Sequence, residues 1–337
     1  RKLRGDKMKN KPADIPYCGV NENKIKNAKV VLNQELLKKY RDYQYNRADI
    51  YYKKEIQKFP APWTTNPILQ KYSFTNVKRE FDKESKILLN NVIYNKKCDF
   101  LNAVLNSIFI RAFYSKAHIL NNLEEGFINF HETSKSYLDY IGEKIPSNIS
   151  DPAYLVSGSR RAAFFDLGYP DLKKPVIFFN FLQKYSKEIE KTILEAKNPL
   201  EATKINIPAI RGKFTIYQVL MDLGYHPEFK FSNNEFVLSG PGCSLGISFL
   251  CEDMSGLNDE EFMFWLRDNI SDLIDFNPKE FLHFCDEDNQ NWSVNDIENS
   301  FCEFSKYIKL EKLQNENIRC KQRYYKHSKD ETTLDDF

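Results

Sequence analysis

The stretch INIPAIRGKFTIYQVLMDLGY, Ile205–Tyr225, decides the fold. Proline at 208 ends any helix that begins at Pro199, a short turn through Ala209–Gly212 follows, and apolar residues at helical spacing run from Lys213 until Gly224 stops them. The spacing predicts a helix, a tight hairpin and a second helix. A hairpin of this kind turns backbone N–H groups and a helix N-terminus outward, which suits a phosphate oxygen, and it needs glycine where chains come close. Arg211 and Lys213 flank Gly212, and the three are candidate contacts to a phosphate. On the second helix Thr215, Gln218 and Asp222 form one polar stripe in an otherwise apolar cylinder. The stripe is either the wall of a site or an internal network that satisfies its own polar groups.

Outward from this hairpin, helical signals dominate. Asn66-Pro67 and Asn198-Pro199 each place a capping residue before a proline, and Asn258 precedes Glu261 at capping-box distance. Apolar residues recur every three or four positions over 99–114, 174–197, 258–276 and 293–310, while alternation is confined to a short stretch near 229–238. The fold class expected is mainly α. No repeat and no Gly/Ser-rich linker divides the body, so a basic mobile arm (1–29), one helical domain of two lobes (30–197 and 198–312) and a polar tail (313–337) are expected.

Composition bounds the function. The 337 residues are 42% hydrophobic and 28% charged, enough for a sizeable core. Apolar runs such as Val176–Phe179 are far shorter than the roughly 20 residues a membrane helix needs, so no membrane partner is expected. Lys and Arg number 49 against 47 Asp and Glu, a balance that hides segregation: both ends are basic, and 252–275 holds eight acids against Arg267 alone. The seven dispersed cysteines include no Cys-x-x-Cys, and the five histidines form no metal-ligand spacing. No metal and no cofactor is expected, an intracellular, reducing location fits, and neither a phosphate-binding loop nor a dinucleotide fingerprint occurs.

Three further segments carry polar residues in suggestive order. In YSFTNVKREFDKES (72–85), a helix would set Asn76, Arg79 and Lys83 on one face, either a phosphate clamp or a solvated face with internal ion pairs. Before it, Pro60–Thr64 holds Trp63 in an extended aromatic segment, for packing or for stacking a base. NNEFVLSGPGCSLGI (233–247) reads as an extended acid, Glu235, before a Gly240-Pro241-Gly242 turn whose glycines permit close backbone approach. In NDIENSFCEFSKYIKL (295–310), Glu298 and Cys302 lie one turn apart on the border of an apolar stripe, either as a functional Glu–Cys pair or, the commoner explanation, with the small thiol packed in the core.

Taken in order, PAPWTTNPILQKYSFTNVKREFDKES, GKFTIYQVLMDLGY, NNEFVLSGPGCSLGI and NDIENSFCEFSKY resemble the helical domain shared by phage 5-hydroxymethyluracil DNA kinases and the α-glutamyl/putrescinyl-thymine pyrophosphorylases, from about Tyr40 to Leu310. That family is related to helix-hairpin-helix DNA glycosylases. The resemblance implies a helix-hairpin-helix, glycosylase-like helical domain that holds DNA by its hairpin and extrudes one base into an interlobe pocket. Because no kinase loop is present, it implies the branch that replaces the pyrophosphate of a pyrophosphorylated hydroxymethyluracil with an amine or amino acid, in the cytoplasm of a phage-infected bacterium or in a nucleus. Trp63 would stack the base with Asn76 and Gln218 beside it. Arg79 with Lys83 or Arg211 would neutralise the leaving group, Gly240 and Gly242 would let the backbone approach, and Asp222 or Glu235 would serve as catalytic carboxylate. Two alternatives stay open: a DNA-binding half of a kinase without catalysis of its own, and a glycosylase for a modified base. The hairpin reads Ala-Ile-Arg-Gly where glycosylases more often have a second glycine.

Overall fold

The computed structural model describes residues 17–114, 117–146, 173–204, 213–273 and 292–315. These are mainly α, with a single pair of short strands. In chain order they form α1 (Glu22–Asn27), β1 (Val31–Leu32), α2 (Gln34–Tyr51), α3 (Pro67–Lys71), α4 (Lys83–Leu88), α5 (Phe100–Ile108), α6 (Lys135–Lys144), α7 (Lys174–Glu195), α8 (Lys213–Leu223), α9 (Pro241–Leu250), β2 (Cys251–Asp253), α10 (Asp259–Leu273) and α11 (Val294–Asn315). The last turns after α2, α4 and α5 loosen into π-helix, over Tyr52–Ile56, Leu89–Ile93 and Phe109–Tyr114.

Contacts divide the chain into two compact units, one made of 1–83 and 234–337 and the other of 84–233. Asn198, expected at a lobe boundary, falls inside the second.

Helix starts follow their caps. The Asn66 side chain accepts from the Ile68 and Leu69 amides and opens α3. Asn258 and Glu261 form a reciprocal box, Glu261 N to Asn258 Oδ1 at 2.8 Å and Asn258 N to Glu261 Oε2 at 3.0 Å. Asn198 accepts from Glu201 N, but Pro199–Lys204 winds as 3-10 helix.

In the first unit α9 and α11 pack backbone to backbone. A Cβ on Gly246 would lie 2.3 Å from the Phe301 carbonyl oxygen, so only glycine permits the approach. Around them Tyr40 of α2 stacks on Phe301 at 4.9 Å and meets Phe304 edge-on at 5.1 Å, giving this unit an aromatic core. β1 pairs antiparallel with β2, Leu32 opposite Cys251. Of the basic arm expected over 1–29, residues 17–29 carry α1, anchored by buried Ile25 and by a 2.5 Å ion pair from Lys24 to Glu261. A segment that looks merely polar is thus docked by one buried isoleucine together with the ion pair and hydrogen bonds such as Cys18 N to Glu235 O and Lys29 N to Ser255 Oγ.

In the second unit Asn102 and Asn106 of α5 clamp a neighbouring loop as a backbone would. Asn106 donates to Ile128 O and accepts from Ile128 N, both at 2.8 Å, while Asn102 accepts from Phe130 N at 2.8 Å. Phe130 in turn stacks on Phe179 of α7 at 4.9 Å. Lys213–Leu223, within the second helix of the expected hairpin, is helical and gives way to Gly224, the stop that its sequence predicts. The turn itself, with Arg211 and Gly212, lies outside the described residues.

Three expectations of local structure are corrected. No strand forms over 229–238, which runs through turns. Gly240-Pro241-Gly242 is not an open turn but the N-terminus of α9, with Gly240 as N-cap and proline at the first helical position. Tyr72–Ser85 is not one helix: residues 72–78 are irregular, Arg79–Phe81 is a single 3-10 turn, and α4 starts at Lys83.

Candidate functional site

The irregular loop 74–82 exists because side chains take over its backbone groups. Arg47 of α2, 9% exposed, donates from Nε and Nη2 to Phe74 O at 3.2 and 2.9 Å and from Nε to Thr75 O at 2.9 Å. Thr75 N donates to Glu303 Oε2 at 3.2 Å, and Asn299 donates to the Thr75 hydroxyl at 3.0 Å. Asn76 closes the loop, its amide N donating to Asp82 Oδ1 at 2.7 Å and its side chain to Phe81 O at 3.0 Å. Those bonds replace the i to i−4 ladder that a helix would have needed.

The first turns of α11 supply the other side. Ser293 and Asp296 cap that helix reciprocally, Ser293 Oγ donating to Asp296 Oδ2 at 2.7 Å and Asp296 N to Ser293 Oγ at 3.1 Å. The other Asp296 oxygen, Oδ1, accepts from the Arg79 amide at 2.9 Å. Trp292 Nε1 reaches Val77 O at 3.3 Å. One turn further, Glu298 Oε1 accepts from the Gly240 amide at the N-cap of α9, at 3.4 Å. Loop, α11 and the start of α9 thus meet in one place.

Charge accumulates there. Lys78 is 2% exposed, and Arg79, Glu80, Asp296 and Glu298 are all buried. Lys78 Nζ stands 3.9 Å from Glu80 Oε1, and Glu303 is paired with Lys306 at 2.6 Å. Among the described residues Arg47, Lys78 and Arg79 then face Glu80, Asp82, Asp296 and Glu298, three cations for four carboxylates. Burial pushes the Glu298 carboxyl up to about 7, only partly opposed by the Gly240 amide and the Arg79 guanidinium. Burial also lifts Asp82 to about 6 against the Asn76 amide, Arg47 and Arg79, and raises Asp296 against the Arg79 amide, Ser293 and Lys78. Desolvation outweighs attraction at all three. Interiors rarely retain such groups, and a carboxyl poised near neutrality suits proton transfer.

Arg79 and Asn76 are therefore part of this cluster, and Gly240 joins it through its amide. Gly242 serves the packing of helices instead, since a Cβ there would come 2.6 Å from Cys302 Sγ and its absence lets α9 lie against α11. Lys83 is exposed at the start of α4. Trp63 is half-buried, its indole N–H donating to Phe59 O at 2.7 Å and its ring covered by Lys54 Nζ at 5.6 Å. Glu235 is half-buried, and its carbonyl accepts from Cys18 N at 2.8 Å.

In the second unit Asp222 is 2% exposed and both its oxygens are taken by Arg111, Nε to Oδ2 and Nη2 to Oδ1, each at 2.7 Å. Gln218 is buried on the same helix, and Lys213 is exposed at its start. Arg111 is the residue that the sequence reading did not single out. Arg111 stands alone in the apolar run 108–113, and a lone cation in such a run asks for a buried anion. Glu298 reads in sequence as the edge of a packing stripe, although a glutamate next to Phe301 and Ile297 on a core helix is itself a signal.

Among the described residues no group of three or more His, Cys, Asp or Glu side chains could hold a metal ion, and no helix is long and apolar enough to cross a membrane.

Fold and site together define a class: a helical protein that shelters a surplus of ionisable groups from water, as sites for chemistry or for polar ligands do. The chain belongs to the family described as "5-hmdU DNA kinase, helical domain", whose model matches residues 34–316. A 5-hmdU DNA kinase of Bacillus phage SP10 is 25% identical over 285 residues, covering 78% of this chain and 43% of that protein. The chain thus spans less than half the length of this relative. No solved structure matches it.

Proposed function

We propose that this protein modifies a thymine-derived base in DNA, holding a pyrophosphorylated hydroxymethyluracil out of the stack and replacing its pyrophosphate with an amine or amino acid. The observation that carries the reading is the buried cluster where the loop 74–82 meets α11, because it unites two of the family-like motifs and holds a carboxyl near neutrality beside an arginine. Such chemistry requires a cation for the departing pyrophosphate, a carboxylate for the proton of the incoming amine, and a surface for the extruded base. Arg79 suits the first, with exposed Lys83 nearby in sequence. Trp63 offers an aromatic face, and Arg211, Gly212 and Lys213, in a sequence that resembles a helix-hairpin-helix, remain the proposed backbone contacts. Asp222 and Glu235 are the carboxylates that the motifs themselves suggest.

The test is to incubate the protein with DNA carrying pyrophosphomethyl-uracil and a panel of amines and amino acids, then digest and weigh the nucleosides. A new nucleoside heavier by the amine and lighter by pyrophosphate is expected. Unchanged nucleosides with every donor refute it, and an abasic site would point to a glycosylase instead. A second reading is supported by the length of the SP10 relative, of which this chain matches 43%: the helical domain would then bind DNA for a kinase activity held elsewhere. DNA binding without any new nucleoside would favour that reading.

A further inference from the structure

We propose that Glu298, rather than Asp222 or Glu235, is the catalytic carboxylate that takes the proton from the incoming amine. The inference rests on the function proposed above and adds to it the residue and the place. Glu298 is 3% exposed in the second turn of α11, and Oε1 has one long hydrogen bond, 3.4 Å from Gly240 N. Oε2 receives no donor among the described residues. A buried carboxylate with an uncommitted oxygen, at the N-terminus of the ten-residue helix α9 and within the influence of Arg79, is built to accept a proton. Asp222 lacks that freedom, because Arg111 occupies both of its oxygens at 2.7 Å.

The step balances. The nitrogen lone pair of the amine forms a C–N bond to the exocyclic methylene carbon, and the C–O bond breaks with its electron pair leaving on pyrophosphate. The proton then lost by nitrogen passes to Oε2 of Glu298 and on to solvent. Groups that act on this carboxyl or respond to it are Arg79 from the loop, Cys243 of α9 and Cys302 of its own helix; both thiols are raised by burial, with Glu298 a lesser contributor. Asp82, also influenced by Arg79, is the second carboxyl that titrates near neutrality.

The experiment compares the full chain with E298Q, E298D and D82N on DNA bearing pyrophosphomethyl-uracil, with the unprotonated form of one amine held at the same concentration at every pH so that its own ionisation adds no limb. The wild-type rate is expected to rise with pH through about 7 and then level, since the base works only when ionised. E298Q keeps a carbonyl oxygen for the Gly240 amide and should bind the DNA normally while losing roughly 10²- to 10⁴-fold in rate and the rising limb. E298D should be slower but retain the limb, and D82N should retain it too. An E298Q rate within a few-fold of wild type, or a limb that vanishes in D82N and not in E298Q, overturns the assignment and leaves the proposed function standing. Should E298Q not fold, an E298D profile without the limb overturns it equally. A wild-type chain that binds the DNA and yields no product removes both.

Discussion

Arg111 in the second unit and Arg79 in the first are both arginines shielded from water and set against carboxylates, yet their surroundings differ in kind. Arg111 grips Asp222 in a two-pronged pair that occupies both carboxylate oxygens. Arg79 works among Asp82, Asp296 and Glu298, donates its amide to one of them, and leaves two of the three acids with carboxyls near neutrality. A closed pair has spent its electrostatics on holding α8 against the turn after α5. An open cluster keeps part of it available to a ligand or a proton, which is why burial of charge alone does not mark a site.

The largest effect should come from breaking the closed pair. Asp222→Ala leaves the Arg111 guanidinium buried without this carboxylate, and a loss of about 3–5 kcal/mol in denaturant unfolding is expected. A loss under about 1 kcal/mol would show that the pair is not closed. Next comes the open cluster. Because folding raises the Glu298 carboxyl from its ordinary value to about 7, the native state holds a proton that the unfolded chain releases, so stability falls as pH rises between roughly 5 and 7. Glu298→Gln should abolish up to about 3 kcal/mol of that decline, seen as a flatter unfolding midpoint from pH 5 to pH 8. A slope equal to wild type would put the group outside the cluster.

Gly246→Ala probes the packing beneath the cluster. Its Cβ would meet a backbone oxygen at 2.3 Å, so α9 and α11 must separate at a cost of about 2 kcal/mol, and the pH slope due to Glu298 should shrink with them. Gly242→Ala, which meets the Cys302 thiol instead, should cost less because that side chain can turn away. The smallest effect sets the baseline. Asn258→Ala removes the cap of α10 and should cost about 1 kcal/mol without altering the pH dependence.

Much of the helical frame was legible because its signals are local. Asn66, Asn258 and the Lys213–Gly224 stretch carry their own caps and stops, and the structure follows them. The loop 74–82 was legible in its residues but not in its shape. Its carbonyls turn to Arg47 and its Asn76 amide to Asp82, partners that periodicity does not register. The pairing of Arg111 with Asp222 spans the second unit, and that of Arg79 with Asp296 spans most of the chain, so neither leaves a mark in a window of sequence. Glu298 was visible in sequence as one half of a pair with Cys302, but its proton affinity was not, because that comes from burial that only the packed helices create.

The acceptor for the Arg79 amide lies 217 residues downstream of it. At ordinary rates of protein synthesis the loop and α2 therefore wait about 10–40 s for the helix that completes them. The burial that raises Asp82 and Glu298 is not complete during that interval, so the poised carboxyls are products of the finished fold. The open cluster comes into being only when α11 closes over it, and the same helix brings Phe301 and Phe304 to Tyr40, so the cluster and the aromatic core of the first unit are completed together.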